Sequence, residues 1–289
     1  MYIGRFAPSP TGPLHFGSLL AALASFLDAR HHQGKWLLRI EDIDPPRSVP
    51  AAIHRIPETL SAFGLEWDGE ISHQSNHHLR YETALHQLQE NQCCYYCTCS
   101  RKMVAQRHAG VGYDRFCRTQ QHTGGAVRFI SSNAELIWHD AIQGKRTHAP
   151  ASIEDFLLRR RDALWAYHLA VVVDDAAAGI THVVRGYDLI DETAKQILLQ
   201  QALHYQTPSY AHIPIVTTTN GQKLSKQNLA KPLDLSCVSE QIAAALAFLG
   251  HPLPESLLRA APQAQLRWAT EHWSMERIPK RAAMAWPGV

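Results

Sequence analysis

The chain has 289 residues, enough to bury a sizeable core and to divide into two or three units. Hydrophobic residues at 45% and charged residues at 19% exclude a disordered chain, and a net charge of +2 announces no nucleic-acid binder by bulk composition. The opening MYIGRFAPSP lacks the apolar stretch of a secretory leader, no apolar run is long enough to span a bilayer, and six unevenly clustered cysteines do not make a secreted disulfide framework. A cytoplasmic protein with no membrane partner is expected.

Residues 2–7 read as a short strand, followed by a Pro/Gly-rich loop over 8–13. Over 17–30 the sequence has strong helix formers with apolar positions at helical spacing, and Gly34 marks the stop. Lys35–Ile40 has a strand-like apolar core. Strand, loop, helix, strand is the opening of a parallel α/β nucleotide-binding unit. Residues 53–63 and 79–90 are predicted helices, the first containing Pro57. Between about 91 and 150 the character changes. Clustered cysteines, a glycine-containing stretch and strand candidates at 126–130 and 136–140 mark an insertion. Residues 170–174 and 180–185 read as buried strands, because they are short and β-branched. Residues 191–205 resemble an amphipathic helix. The remainder, 233–289, reads as helical with Pro252, Pro254 and Pro262 as punctuation. The runs Arg159-Arg160-Arg161 and Lys145-Arg146 can touch phosphates, although such runs are ordinarily solvated faces.

The loop before the first helix hands the chain to amide groups that have no intrahelical partner, and these attract anions. His15 and Gly17 sit there; the glycine lets a ligand approach the backbone, and the histidine can donate to a phosphoryl oxygen. Taken alone, this is a Pro/Gly turn with a capping histidine. Far downstream, Lys223-Leu224-Ser225-Lys226-Gln227 follows the turn signal Asn220-Gly221. Its two lysines can neutralise charge developing on a triphosphate, although alone it is an exposed loop.

Together, H-F-G-S at 15–18 and K-L-S-K-Q at 223–227 resemble the paired HIGH and KMSKS signatures of class I aminoacyl-tRNA synthetases. RFAPSPTGPLHFGSL at 5–19, LLRIEDIDPPRS at 37–48 and VVRGYDLIDET at 183–193 are similar to glutamyl-tRNA synthetases in particular, and the match runs in order from about residue 3 to 230. Ser18 and Gln227 depart from the literal signatures, while His15, Gly17 and Lys226 are kept. The resemblance implies a class I ligase with a Rossmann-type parallel sheet. In it His15, Gly17, Ser18, Lys223, Ser225 and Lys226 bind ATP with Mg(2+), and His15, Lys226 and Lys223 stabilise expulsion of pyrophosphate.

Glutamate requires a guanidinium for its distal carboxylate and a carboxylate for its ammonium group. Arg5 in the first strand and Arg185 at the end of a later one can reach the crevice of such a fold, and Glu41 ends the second strand. Singly, each arginine reads as a surface ion pair. The resemblance implies a glutamate pocket of Arg5, Phe6, Ala7, Pro8, Ser9, Glu41, Tyr167 and Arg185.

Cys97 and Cys99, with Cys117 nearby, are thiolates suited to zinc, which takes four ligands. By residue chemistry the fourth is open among Tyr113, His108 and His122, with histidine the commoner zinc ligand. The resemblance, through C-x-C followed by Y-x-x-x-C, implies Tyr113 and a structural role for the metal. Cys93, Cys94 and Cys237 read as ordinary buried cysteines.

The expected organisation is a catalytic first half at 1–90, a zinc-containing α+β insertion at 91–164, a catalytic second half with the lysine loop at 165–230, and a helical stem-contact-like segment at 231–289. Only about sixty residues follow Gln227, too few for an anticodon-binding domain as well. That shortness resembles a tRNA-modifying branch of the family. Its members activate glutamate without tRNA and attach it to queuosine in the anticodon loop of aspartate tRNA, an unpaired RNA target. A monomer acting on glutamate, ATP and tRNA(Asp) is expected. The alternatives are a short glutamyl- or glutaminyl-tRNA synthetase esterifying a tRNA 3′ end, and an inactive RNA-binding relative.

Overall fold

The computed structural model describes residues 1–107, 112–218 and 231–285. β1 (Ile3–Phe6) leads through the proline-rich loop into α1 (Phe16–His31), and β2 (Lys35–Ile40) returns beside β1. The two strands pair in parallel with Arg5 opposite Leu37, so α1 is the crossover of a βαβ unit. α1 is rich in leucine and alanine, and nearly all of its middle is buried. At the turn into β2, a Cβ on Gly34 would lie 2.5 Å from the Tyr2 carbonyl oxygen, so the close approach of the two strands requires glycine.

α2 (Pro50–Ala62), β3 (Ser72–His73) and α3 (His78–Glu90) follow. α2 runs through Pro57 after starting at Pro50, where proline's missing N–H costs nothing. β4 (Cys94–Cys97), α4 (Arg101–Arg107), β5 (Ala126–Phe129), β6 (Leu136–Asp140), β7 (Gly144–His148) and β8 (Leu157–Arg159) come next. β4, β5 and β8 form a separate antiparallel sheet. α5 (Tyr167–Ala177), β9 (His182–Gly186), α6 (Ile190–Leu203), β10 (Ser209–Ile213) and β11 (Ile215–Thr217) lead back into the body of the protein. The described chain ends with α7 (Val238–Phe248), α8 (Pro262–Glu271) and β12 (Ala283–Ala285).

β3 extends β2 in parallel, and β9, β10 and β6 make a second parallel group with β7 antiparallel on its edge. The groups abut where the Thr181 amide donates to the Ile3 carbonyl at 2.9 Å. The spatial order β3-β2-β1-β9-β10-β6 is that of a doubly wound sheet, with its switch point between β1 and β9. Helices α1, α7 and α8 contribute to one buried cluster, and α3, α5 and α6 to the other.

Four expectations change. Residues 170–174 are not a strand but the middle of α5. Leu169 through Asp175 are buried without a break, so the run shows neither helical nor alternating periodicity, and β-branching alone suggested a strand. Helical rotation sends the adjacent aspartates to different partners. Asp174 accepts from Tyr81 Oη at 2.6 Å and Gln74 Nε2 at 2.9 Å, while Asp175 meets Arg5 and Arg39. Second, 233–289 is not helical throughout, because Ala283–Ala285 pairs in parallel with β11. Third, the β6–β7 hairpin, read as part of the insertion, joins the central sheet through Asp140 opposite Tyr210. Cys93, Cys94 and Cys237 are half-buried rather than buried. Among the described residues no helix is long and apolar enough to cross a membrane.

Candidate active site and cysteine cluster

The carboxyl ends of β1, β2, β9 and β10 open into a cleft of about 950 Å³ at the switch point. Arg5, Phe6, Ala7, Pro8, Ser9, His15, Gly17, Ser18, Glu41, Tyr167 and Arg185 all lie on its wall. The sequence-predicted residues outside the lysine loop and the cysteine cluster are thus together. Lys223, Ser225 and Lys226 lie outside the described residues. Both flanks of that segment are nevertheless held at the cleft. Ile215 and Val216 line it, Pro232 bridges to His15, and the Leu233 amide donates to the Leu14 carbonyl at 2.9 Å.

His15 caps α1. Its Nδ1 accepts from the Ser18 amide at 3.3 Å, so in the neutral ring the proton sits on Nε2. A Cβ on Gly17 would stand 3.1 Å from His15 Cε1, so the glycine leaves room for the folded-back imidazole as well as for a ligand.

The two pocket arginines differ sharply. Arg5 is 5% exposed, with Nε and Nη2 each 3.3 Å from the two oxygens of Asp175. Arg39, which sequence reasoning passed over, donates from Nη1 to the same carboxylate at 2.6 Å and from Nη2 to Glu41 at 3.3 Å. These two cations and two anions neutralise one another. Burial pushes the Glu41 carboxyl up, against the pull of Arg39 and Arg5. Arg185 is equally buried but has no carboxylate partner among the described residues. Its Nη1 is a buried donor with no protein acceptor there. Burial also raises the Tyr167 phenol, opposed by Arg185 and Arg5. A polar residue interrupting the apolar LLRIE run was the one sequence signal for Arg39; Asp175 had none beyond its neighbour.

The cysteine cluster forms on β4 and the turn after α4. Sγ atoms of Cys97, Cys99 and Cys117 lie within 4.8 Å of one another. Tyr113 Oη converges on them, 3.3 Å from Cys97 Sγ and 3.7 Å from Cys99 Sγ. Burial opposes ionisation of Cys117, but hydrogen bonds from Tyr113 and Cys99 hold its thiol down to about 6. This group can hold a metal ion. His122 turns instead to Thr98, with Nε2 3.2 Å from Oγ1, and His108 lies outside the described residues. Asp155, also unforeseen, ties the insertion together through Arg118 at 2.6 Å and Tyr95 at 2.7 Å.

The chain matches the model for the tRNA synthetases class I (E and Q) catalytic domain over residues 3–249. It is 48% identical over 287 residues to the glutamyl-Q tRNA(Asp) synthetase of Pectobacterium atrosepticum, covering 98% of this chain and 88% of that one. To the enzyme of that name from Yersinia pseudotuberculosis it is 47% identical over 286 residues, covering 98% and 86%. Among solved structures it is similar to a glutamate tRNA ligase from Elizabethkingia meningosepticum in complex with its amino acid, at a TM-score of 0.81 and 25% identity. That similarity covers 98% of this chain and 66% of the ligase. The glutamate-tRNA synthetase of Elizabethkingia anophelis shares the fold at a TM-score of 0.83 and 24% identity, over 99% of this chain and 68% of that one.

Proposed function

The chain belongs to the glutamyl-Q tRNA(Asp) synthetase family, built on the class I catalytic domain, and from that membership we infer that it activates glutamate with ATP and transfers it to queuosine of tRNA(Asp). The observation that carries this is the identity of 48% over 98% of the chain to a relative so named. The 3′-end-esterifying and inactive readings are not favoured, since relatives of that one name persist down to 45% identity at full-length coverage.

On this reading the glutamate α-carboxylate attacks the α-phosphorus of ATP, expelling pyrophosphate and forming glutamyl-adenylate. A hydroxyl of the acceptor nucleoside then attacks the acyl carbon and releases AMP. The chain contributes position and charge, and no protein nucleophile is needed. Arg185, charged and unneutralised, takes the substrate's side-chain carboxylate, and Glu41 takes the ammonium group. His15 donates from Nε2 to a phosphoryl oxygen beside Gly17 and Ser18 at the positive end of α1. Lys223 and Lys226, with Ser225, supply positive charge and a hydroxyl to the triphosphate and its Mg(2+). RNA reaches the site along an arginine-bearing path. A small cavity lined by Arg47 and Arg160 shares Ser9, Glu41 and Tyr167 with the main cleft, and Arg160 also borders the hollow over the cysteine cluster. The anticodon loop of tRNA(Asp) fits that approach as unpaired RNA.

The enzyme is expected to exchange pyrophosphate with glutamate in the absence of RNA, and to label tRNA(Asp) only when queuosine is present. The label should survive removal of the 3′ adenosine. Glutamate esterified to the 3′ end of queuosine-free tRNA would overturn this acceptor.

Cys97, Cys99, Cys117 and Tyr113 supply three sulfurs and a phenol oxygen, a donor set suited to structural zinc. Such an ion would hold the insertion in shape, its ligands lying far in sequence from the ATP-binding motifs. Metal analysis is expected to find about one zinc per chain, lost or strongly reduced in Cys99→Ser. A metal-free wild-type protein would reject the site.

A further inference from the structure

Arg185 of β9 stands opposite His212 of β10 in the parallel ladder. Its Nε donates to His212 Nε2 at 3.0 Å, and its Nη2 donates to Thr193 Oγ1 at 2.8 Å. A guanidinium nitrogen only donates, so His212 Nε2 must present its lone pair. The proton of the neutral ring is therefore on Nδ1, 2.5 Å from Asp140 Oδ2. Asp140 is itself fixed, because Oδ1 accepts the amides of Ile142 at 3.0 Å and Gln143 at 2.8 Å. His212 and Asp140 are both fully buried, so neither is there to meet water. Burial lowers the His212 pKa, against Asp140, and this agrees with a neutral ring.

We infer that Asp140 and His212 are positioning residues that aim the Arg185 guanidinium at the side-chain carboxylate of glutamate and so help select it over glutamine. The inference rests on Arg185 being the partner of that carboxylate. The contrast with Arg5 gives the physical reason. Asp175 touches Arg5 directly and cancels its charge, whereas here a neutral imidazole stands between carboxylate and guanidinium. The ring fixes Nε without neutralising the cation. With Nε and Nη2 both engaged, Nη1 is the guanidinium nitrogen left for a ligand in the cleft that Arg185 lines. A carboxylate satisfies that buried charge, and a neutral amide does not.

The test is pyrophosphate exchange by the full-length enzyme with glutamate or glutamine. His212→Ala is expected to raise the glutamate KM about tenfold to a hundredfold and to narrow the glutamate-to-glutamine ratio, with the ATP KM unchanged. His212→Gln, whose Oε1 can replace Nε2 as acceptor, should recover most of the loss. Thr193→Val, isosteric and lacking the Nη2 acceptor, should shift the glutamate KM the same way even if His212→Ala does not fold. An unchanged glutamate KM in folded His212→Ala and Thr193→Val would overturn the inference. So would equal losses in kcat and in both KM values accompanied by a lowered Tm, which mark packing alone. Arg185→Ala separates the two levels: a wild-type glutamate KM there overturns the assignment of Arg185 itself, whereas a raised one beside a normal His212→Ala overturns only the relay.

Discussion

Replacing Lys226 with alanine is expected to lower kcat for glutamate-dependent pyrophosphate exchange by about a hundredfold to a thousandfold, the cost of removing one preorganised charge donor from a developing anion. Glutamate KM and thermal stability should change little. The motif K-L-S-K-Q follows β11, whose residues line the cleft, and it precedes Pro232, which bridges to His15. Both flanks of the motif thus stand at the cleft, beside the capping histidine at the amino end of α1. On the proposed role, in which the lysine meets charge that develops during the reaction, the loss should fall on kcat. Near-normal exchange by the variant would remove Lys226 from the reaction.

The second large effect is on stability. Asp175→Ala is expected to destabilise the fold by about 3–5 kcal/mol, because it strands the buried Arg5 guanidinium and leaves Arg39 with Glu41 alone. Arg5 and Arg39 share this one carboxylate, and all three side chains are at most 7% exposed. Urea unfolding at neutral pH measures the loss, and a change below about 1 kcal/mol would show that the cluster relaxes freely. Burial opposes ionisation of Asp175, but Arg39 and Arg5 hold its carboxyl below the ordinary carboxylate range. A depressed folded-state pKa contributes stability that is full above the unfolded value of about 3.9. It is lost as the pH falls through the lower folded value, so the gap between wild type and Asp175→Ala should narrow in acid and stay constant above about pH 5.

Motifs and ordering were legible because they are local. The first strand, α1 and β2 follow from apolar spacing, a glycine stop and a Pro/Gly loop, and the cleft residues 5–9, 15, 17, 18, 41 and 185 were found through contiguous strings. α5 was misread because a helix buried on every side has lost the polar face that gives helical period its signal. Ala283–Ala285 was missed because Ala-Met-Ala has little strand preference of its own and pairs only where β11 offers an edge.

The amino-acid sequence by itself thus determined the class of protein, the opening strand–helix–strand order and the strings that carry most of the cleft residues it named, since each is written in neighbouring residues. What only the tertiary structure decided is how charge is divided within that pocket. Arg5 and Arg185 look equivalent in one dimension. In three, Asp175, 170 residues from Arg5, cancels one cation, while His212 and Asp140 orient the other and leave it charged. Electrostatic partnership depends on distance in space and on burial, and neither is encoded in separation along the chain.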